Sequence, residues 1–282
     1  MMTASLTDPS PRLHRRLLAR PSIRALLALL CVLLPFALAI WLTNAVPKPW
    51  KAWALLLAAA GVVAGYVLYV RRVEGRAVTE LSLAGAGREL GSGLGLGALL
   101  VLACTGVLLA SGVYSVTGLA APGVMLKPVP EQVMVALFEE ILFRAVIFRL
   151  LEKSWGLRTA LVGSTLLFMV GHMPNAGFSV LAALMTGVAS LVFTFAWLVT
   201  RRLWLPVGLH FGWNYLLDAG MAIPVSGHTP RGWVQVSVNG PEWLSGGAYG
   251  IEASLVTLVA WSVAGIVLMT IARRRGQWVA KT

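Results

Sequence analysis

The run from Val133 to Phe148 is apolar except for Glu139, Glu140 and Arg144. At the depth of a bilayer such groups cost about 2.5–3.5 kcal/mol each on insertion scales, so they are kept only with partners or a task. On a helix Glu140 and Arg144 are four apart, share a face and can pair. Glu139 points about 100° away and is left for another helix. One bland alternative is a single buried charge cluster that only fixes packing, a weak source of stability once desolvation is counted. Two further apolar runs carry polar groups: Phe168 to His172, and His210 to Asn214. A lone histidine at a helix end usually makes a local hydrogen bond, but here a second one stands inside an apolar run. The other two histidines, His14 and His228, fall in segments expected to be solvent-exposed. His210 and Asn214 share a face and can donate to one point.

Chemically, a carboxylate with a histidine can position and deprotonate a water. A second histidine with an amide can stabilise a tetrahedral oxyanion. Those parts suffice for amide hydrolysis. His210 and Asn214 can equally be placed near a metal, although an asparagine carbonyl is a poor zinc ligand. No serine or cysteine nucleophile stands out, since Cys31 and Cys104 have no basic neighbours in their spans.

These residues need apolar helices around them. Of 282 residues, 58% are hydrophobic and 12% charged, and the mean hydropathy is +0.80. Soluble domains carry about 25% charged residues, so the composition implies an all-α, polytopic helical membrane protein. A closed barrel is excluded because the long apolar runs do not alternate. Eight spans are expected at roughly 23–42, 52–70, 93–114, 132–151, 157–172, 178–199, 203–219 and 251–271. Basic residues gather in alternate connections: Arg12 to Arg24, Arg71 to Arg88, Arg149 to Arg158, Arg201 with Arg202, and Arg273 to Lys281. The positive-inside rule then places both termini in the cytoplasm. This pattern explains the net charge of +12 by topology, without nucleic acid. The basic N-terminal tail itself can hold anionic lipid headgroups. Seven tryptophans (Trp41, Trp50, Trp53, Trp155, Trp197, Trp204, Trp278) fall near expected interfaces. The first apolar run resembles a signal peptide but is long and lacks a small-x-small cleavage site, so it reads as a retained span. With both cysteines inside spans, no disulfide framework is implied.

The cluster Gly85 to Gly97 lacks the strand and Lys-Ser/Thr of a phosphate loop. Gly91/Gly95, Gly93/Gly97 and Gly61/Gly65 read instead as small-xxx-small packing pairs. In the loop at about 220–250, Trp233 to Val238 alternates before Asn239-Gly240, which predicts a short strand or hairpin. Glu252 is a further candidate contributor to the site; it also opens the last span, where an acidic side chain complements the helix dipole.

Glu139-Glu140-x-x-x-Arg144, Phe168-x-x-x-His172 and His210-x-x-x-Asn214, in this order on separate spans, resemble the three motifs of the CPBP family. Its members are also called Abi proteins or CaaX-protease-like intramembrane endopeptidases. The resemblance covers roughly 130–220 and extends to the stretch Gly240 to Ser254, similar to a loop of many bacterial members. It implies an eight-helix-type fold enclosing an intramembrane polar cavity, and proteolysis near the C-terminus of a membrane-associated substrate. By motif position it makes Glu139 the general base with His172 assisting, Glu140 and Arg144 supporting residues, and His210 and Asn214 the oxyanion side. A metal-free mechanism is favoured. The alternative is a divalent metal such as zinc on Glu139, His172 and His210.

The expected organisation is a basic tail at 1–22, three N-terminal spans within 23–130, a catalytic core at 131–272, and a basic tail at 273–282. The expected setting is a bacterial inner membrane, and the expected partners are the lipid bilayer and the tail of a membrane, lipid-anchored or exported protein. Loop charges put the site in the outer half of the membrane, which suits exported tails better than cytosolic prenylated ones. Two other classes compete. A peptide-binding or bacteriocin-immunity protein would use the fold without cutting. An ion-coupled transporter would need internal repeats, and none is visible.

Overall fold

A computed structural model describes residues 20–278. The outer parts of the two basic tails, with His14, lie outside the described residues. The chain folds as helices α1 (Pro21–Leu42), α2 (Lys48–Tyr69), α3 (Ala86–Ala110), α4 (Val129–Glu140), α5 (Arg149–His172), α6 (Val180–Thr200), α7 (Trp204–Tyr215), α8 (Glu242–Ser245) and α9 (Leu255–Arg274). Wider π-helical turns extend α2 over Val70–Glu74, α4 over Ile141–Phe148 and α7 over Leu216–Gly220. A helix stands at each of the eight expected segments. Five helical stretches are long and apolar enough to cross a membrane: Pro21–Ala45, Trp50–Glu74, Ala86–Ala110, Val180–Thr200 and Leu255–Arg274. The three expected segments outside that set hold the motif residues.

From α4 the chain runs without interruption into α5 and breaks at Gly156, whose φ of 82° is open to glycine. Beyond it the chain doubles back, so that Phe143 meets Phe168 edge-to-face with centroids 4.8 Å apart. This hairpin brings the first and second motifs side by side.

The third motif is held by glycines. Helix α3 packs most extensively on α7. A Cβ on Gly93 would lie 2.3 Å from the Leu205 carbonyl oxygen, and one on Gly208 would lie 2.3 Å from that of Leu90. Gly97 and Gly212 repeat the fit one turn on, so the two backbones touch as small-residue motifs permit. Gly61 and Gly65 likewise face Pro35 and the Cys31 carbonyl on α1. The Gly91/Gly95 pair does not pack, because both positions face open space. They lie on the side of α3 turned away from α7.

The bundle has two unlike ends. At one, arginines tie the elements together. Arg149 reaches Glu74 at 2.9 Å, Arg201 forks onto Glu152 at 2.6 and 3.0 Å, and Arg202 reaches Glu89. At the other, strand β1 (Tyr114–Leu119) pairs antiparallel with β2 (Val234–Val238), with a bulge between Val116 and Gly118. The expected strand at 234–238 therefore forms, but its partner follows α3 and there is no local hairpin. Asn239 instead donates its backbone N–H to the Val113 carbonyl. Trp41, Trp50, Trp53 and Trp155 are exposed near helix ends, as an aromatic belt requires. Trp197 is a correction: it is buried within the bundle. Both cysteines are free.

Candidate active site

Glu140 and Arg144 are fully buried. The π-helical stretch after Glu140 keeps Arg144 close enough for its Nη1 to meet Glu140 Oε1 at 3.2 Å. Arg144 Nη2 donates to the Ser190 carbonyl on α6 at 3.1 Å. Its guanidinium carbon lies 4.9 Å from the ring centre of Phe168 and 5.1 Å from that of Phe193. Such stacking suits the weakly hydrated guanidinium in an apolar setting. From α7, His210 Nδ1 approaches Glu140 Oε1 at 2.9 Å, and the imidazole stacks on Phe193 with centroids 4.7 Å apart. Glu140 thus joins two motifs, a bond that sequence spacing does not reveal.

Glu139 turns the other way. It lines a cavity of ≈ 580 Å³ together with His172, His210 and Asn214. Its Oε2 is buried and makes no hydrogen bond to the protein. The expected division of labour, one glutamate held by arginine and one left available, is the geometry found. Phe168, Phe193, Trp213 and Trp261 supply apolar wall.

Hydrogen bonds set both histidine tautomers. His172 Nδ1 lies 2.8 Å from the Phe168 carbonyl oxygen, which can only accept, so Nδ1 carries the proton. The neutral ring then has a bare Nε2 that can accept a proton from water. His210 Nδ1 donates to Glu140 in the same way. As a neutral ring His210 accepts at Nε2. It becomes an oxyanion donor there only as imidazolium, with Glu140 as counter-ion. The amide of Asn214 donates in either case.

Among the described residues, no three His, Cys, Asp or Glu side chains are grouped to hold a metal ion. Glu139, His172 and His210 share the cavity without forming such a ligand set.

Several cavity residues escaped the sequence reading. Asp218, on the π-helical turn after α7, is buried. It accepts from Gln132 Nε2 at 3.0 Å and from Arg231 Nη2 at 2.5 Å, and Arg231 also meets Glu131 at 2.7 Å. This cluster lies at the sheet end of the cavity, where exposed His228 and Thr229 also contribute. The signal was available: Asp218 follows His210 and Asn214 at the same four-residue interval. Of the two expected roles of Glu252, the helix-dipole one is corrected. Helix α9 starts at Leu255 and is capped by Ser254, so Glu252 serves no helix dipole. It lines the cavity and accepts from Trp213 Nε1 at 3.1 Å and from Ser226 Oγ at 2.9 Å.

No curated protein and no solved structure matches the chain. Residues 131–216 match the family model Rce1-like, described as type II CAAX prenyl endopeptidase Rce1-like, a family of proteases. The matched segment contains Glu139, Glu140, Arg144, His172, His210 and Asn214, and over it the chain is similar to the CaaX-type membrane proteases that its three motifs resemble.

Proposed function

We propose that this protein is an intramembrane endopeptidase that hydrolyses a peptide bond near the C-terminus of a membrane-associated or exported protein. The observation that carries the reading is the placement of Glu139, His172, His210 and Asn214 on one buried cavity, with the Glu140–Arg144 pair locked behind it. In this reading Glu139, helped by the bare Nε2 of His172, takes a proton from a water as its oxygen attacks the scissile carbonyl. The proton passes to the departing amine as the C–N bond breaks. Asn214 and the imidazolium of His210 face the oxyanion, where preorganised donors contribute most.

Sidedness follows from the two ends of the bundle. The cavity reaches the surface at the end carrying the sheet, away from the arginine-rich end. By the positive-inside rule that end faces out of the cytoplasm, so substrate enters from outside and exported tails are the expected class. Protease access to a tag placed in the 226–232 loop of intact spheroplasts checks this, and a protected tag would overturn it.

The deciding experiment compares cleavage of membrane-tethered C-terminal tails by wild type, Glu139→Gln and His172→Ala at matched expression. Loss of cleavage in both variants supports the protease reading. Retained cellular function in both, with normal folding, would replace it with peptide binding.

A further inference from the structure

Three loops roof the cavity at its sheet end: residues 173–179, 221–231 and 246–253. Glycines let their backbones meet. A Cβ on Gly227 would lie 2.2 Å from the Ala176 oxygen, one on Gly250 2.0 Å from the Pro224 oxygen, and one on Gly177 2.6 Å from the Tyr249 nitrogen. The middle loop is strained, with Ala222 at φ 44° and Ser226 at φ 46°, a region that residues with a Cβ seldom occupy. Strain of this kind persists only where the surroundings impose it, and it gathers at ligand clamps.

At Ser226 one side chain takes both donors. Glu252 Oε2 accepts from both the backbone N–H and the hydroxyl of Ser226. Its Oε1 accepts from the Trp213 indole at 3.1 Å. Trp213 sits on α7 next to Asn214 and packs edge-on against Trp261, with centroids 4.9 Å apart. Trp261 meets Phe193 at 5.3 Å, and Phe193 stacks on His210. One carboxylate therefore joins the strained roof to an aromatic chain that ends on a site histidine.

We infer that Glu252 is a positioning residue that latches the 221–231 strap over the cavity and fixes the Trp213 wall beside His210 and Asn214. The role rests on the protease reading, and it assigns the strap to holding the substrate tail. Glutamine has one acceptor oxygen, which can face Trp213 or the Ser226 donors but not both sides, so Glu252→Gln should fall between wild type and Glu252→Ala.

The test separates the latch from the chemistry. Maleimide labelling of Val225→Cys, a strap position buried against the cavity, in a background with Cys31 and Cys104 replaced by alanine, reports strap opening without turnover, including in Glu139→Gln. Labelling should quicken in Glu252→Ala and partly recover in Glu252→Gln. In cleavage assays KM for the tail should rise by about tenfold or more in Glu252→Ala, which removes three hydrogen bonds at once, a single charge-assisted one accounting for about that factor. Trp213→Phe keeps an aromatic, though smaller, side chain but loses the indole N–H donor, and should lower kcat more than it raises KM. Unchanged labelling, or an unchanged KM in a folded Glu252→Ala protein, overturns the inference. Failure of the protease reading looks different: labelling still responds to Glu252, but neither wild type nor Glu139→Gln cuts.

Discussion

His210 Nδ1 and Glu140 Oε1 are 2.9 Å apart, and the same carboxylate oxygen takes Arg144 Nη1 at 3.2 Å. Glu140 is therefore the counter-ion for one fully buried cation and the orienting partner of a site histidine. It has no separate access to a reacting atom. Both glutamates keep one buried oxygen without a protein partner, but it is Glu139, its neighbour in sequence, that lines the cavity. Two consecutive glutamates, chemically alike, are assigned different tasks by a 100° turn of the helix.

The pair should respond differently to the same change. Glu140→Gln removes the counter-charge of Arg144, and breaking one partner of a buried ion pair costs about 3–5 kcal/mol. The expected result is lower yield and a lower Tm in detergent, with activity lost as a consequence. Glu139→Gln leaves the Glu140–Arg144 pair intact and should purify like wild type. Thermal unfolding of the two variants side by side is the check, and equal stability would refute the assignment.

Glu139→Gln should instead lower kcat by about 10²–10⁴, the range for a lost general base. KM should change little, because the amide fills the same space. Single-turnover cleavage by purified protein separates the two parameters. A change confined to KM would make Glu139 a binding residue.

Asn214→Ala removes the amide proposed to face the oxyanion. Loss of one such donor lowers kcat by about 10²–10³. Asn214 makes none of the structural bonds seen for Glu140 or Asp218, so its variant should fold normally. A drop in Tm matching the drop in activity would make it a packing residue.

Much of this site was legible because charge inside an apolar run is rare enough to mark itself. Residue type inside apolar runs marks Glu139, Glu140, Arg144, His172, His210 and Asn214 as candidates, and a four-residue interval pairs Glu140 with Arg144 and His210 with Asn214. The helices were legible for the same reason, since long apolar runs have few other outcomes. What stayed hidden depends on long-range pairing. The Glu140–His210 bond links positions 70 apart in sequence, and β2 pairs with a strand more than a hundred residues earlier. Glu252 was legible only as one of two readings, because a carboxylate before a helix has a local explanation, and only the fold shows Trp213 and Ser226 beside it.

The last prediction concerns glycines far from the chemistry. Gly208 lies on α7 two residues before His210, against the Leu90 carbonyl of α3. Gly208→Ala must push α3 and α7 apart, because a backbone oxygen cannot move aside as a flexible side chain can. That shift carries His210 away from Glu140 and Asn214 away from the cavity. A misplacement of about 1 Å can cost 10²-fold in rate. Gly91→Ala is the control: it lies on the same α3 helix but meets nothing within 4 Å. Helix propensity alone then favours alanine by up to about 1 kcal/mol, so its Tm should hold or rise and its activity should match wild type. Measured together, Tm and cleavage should separate the two glycines. If both variants behave alike, the close approach of α3 and α7 is not what positions the third motif.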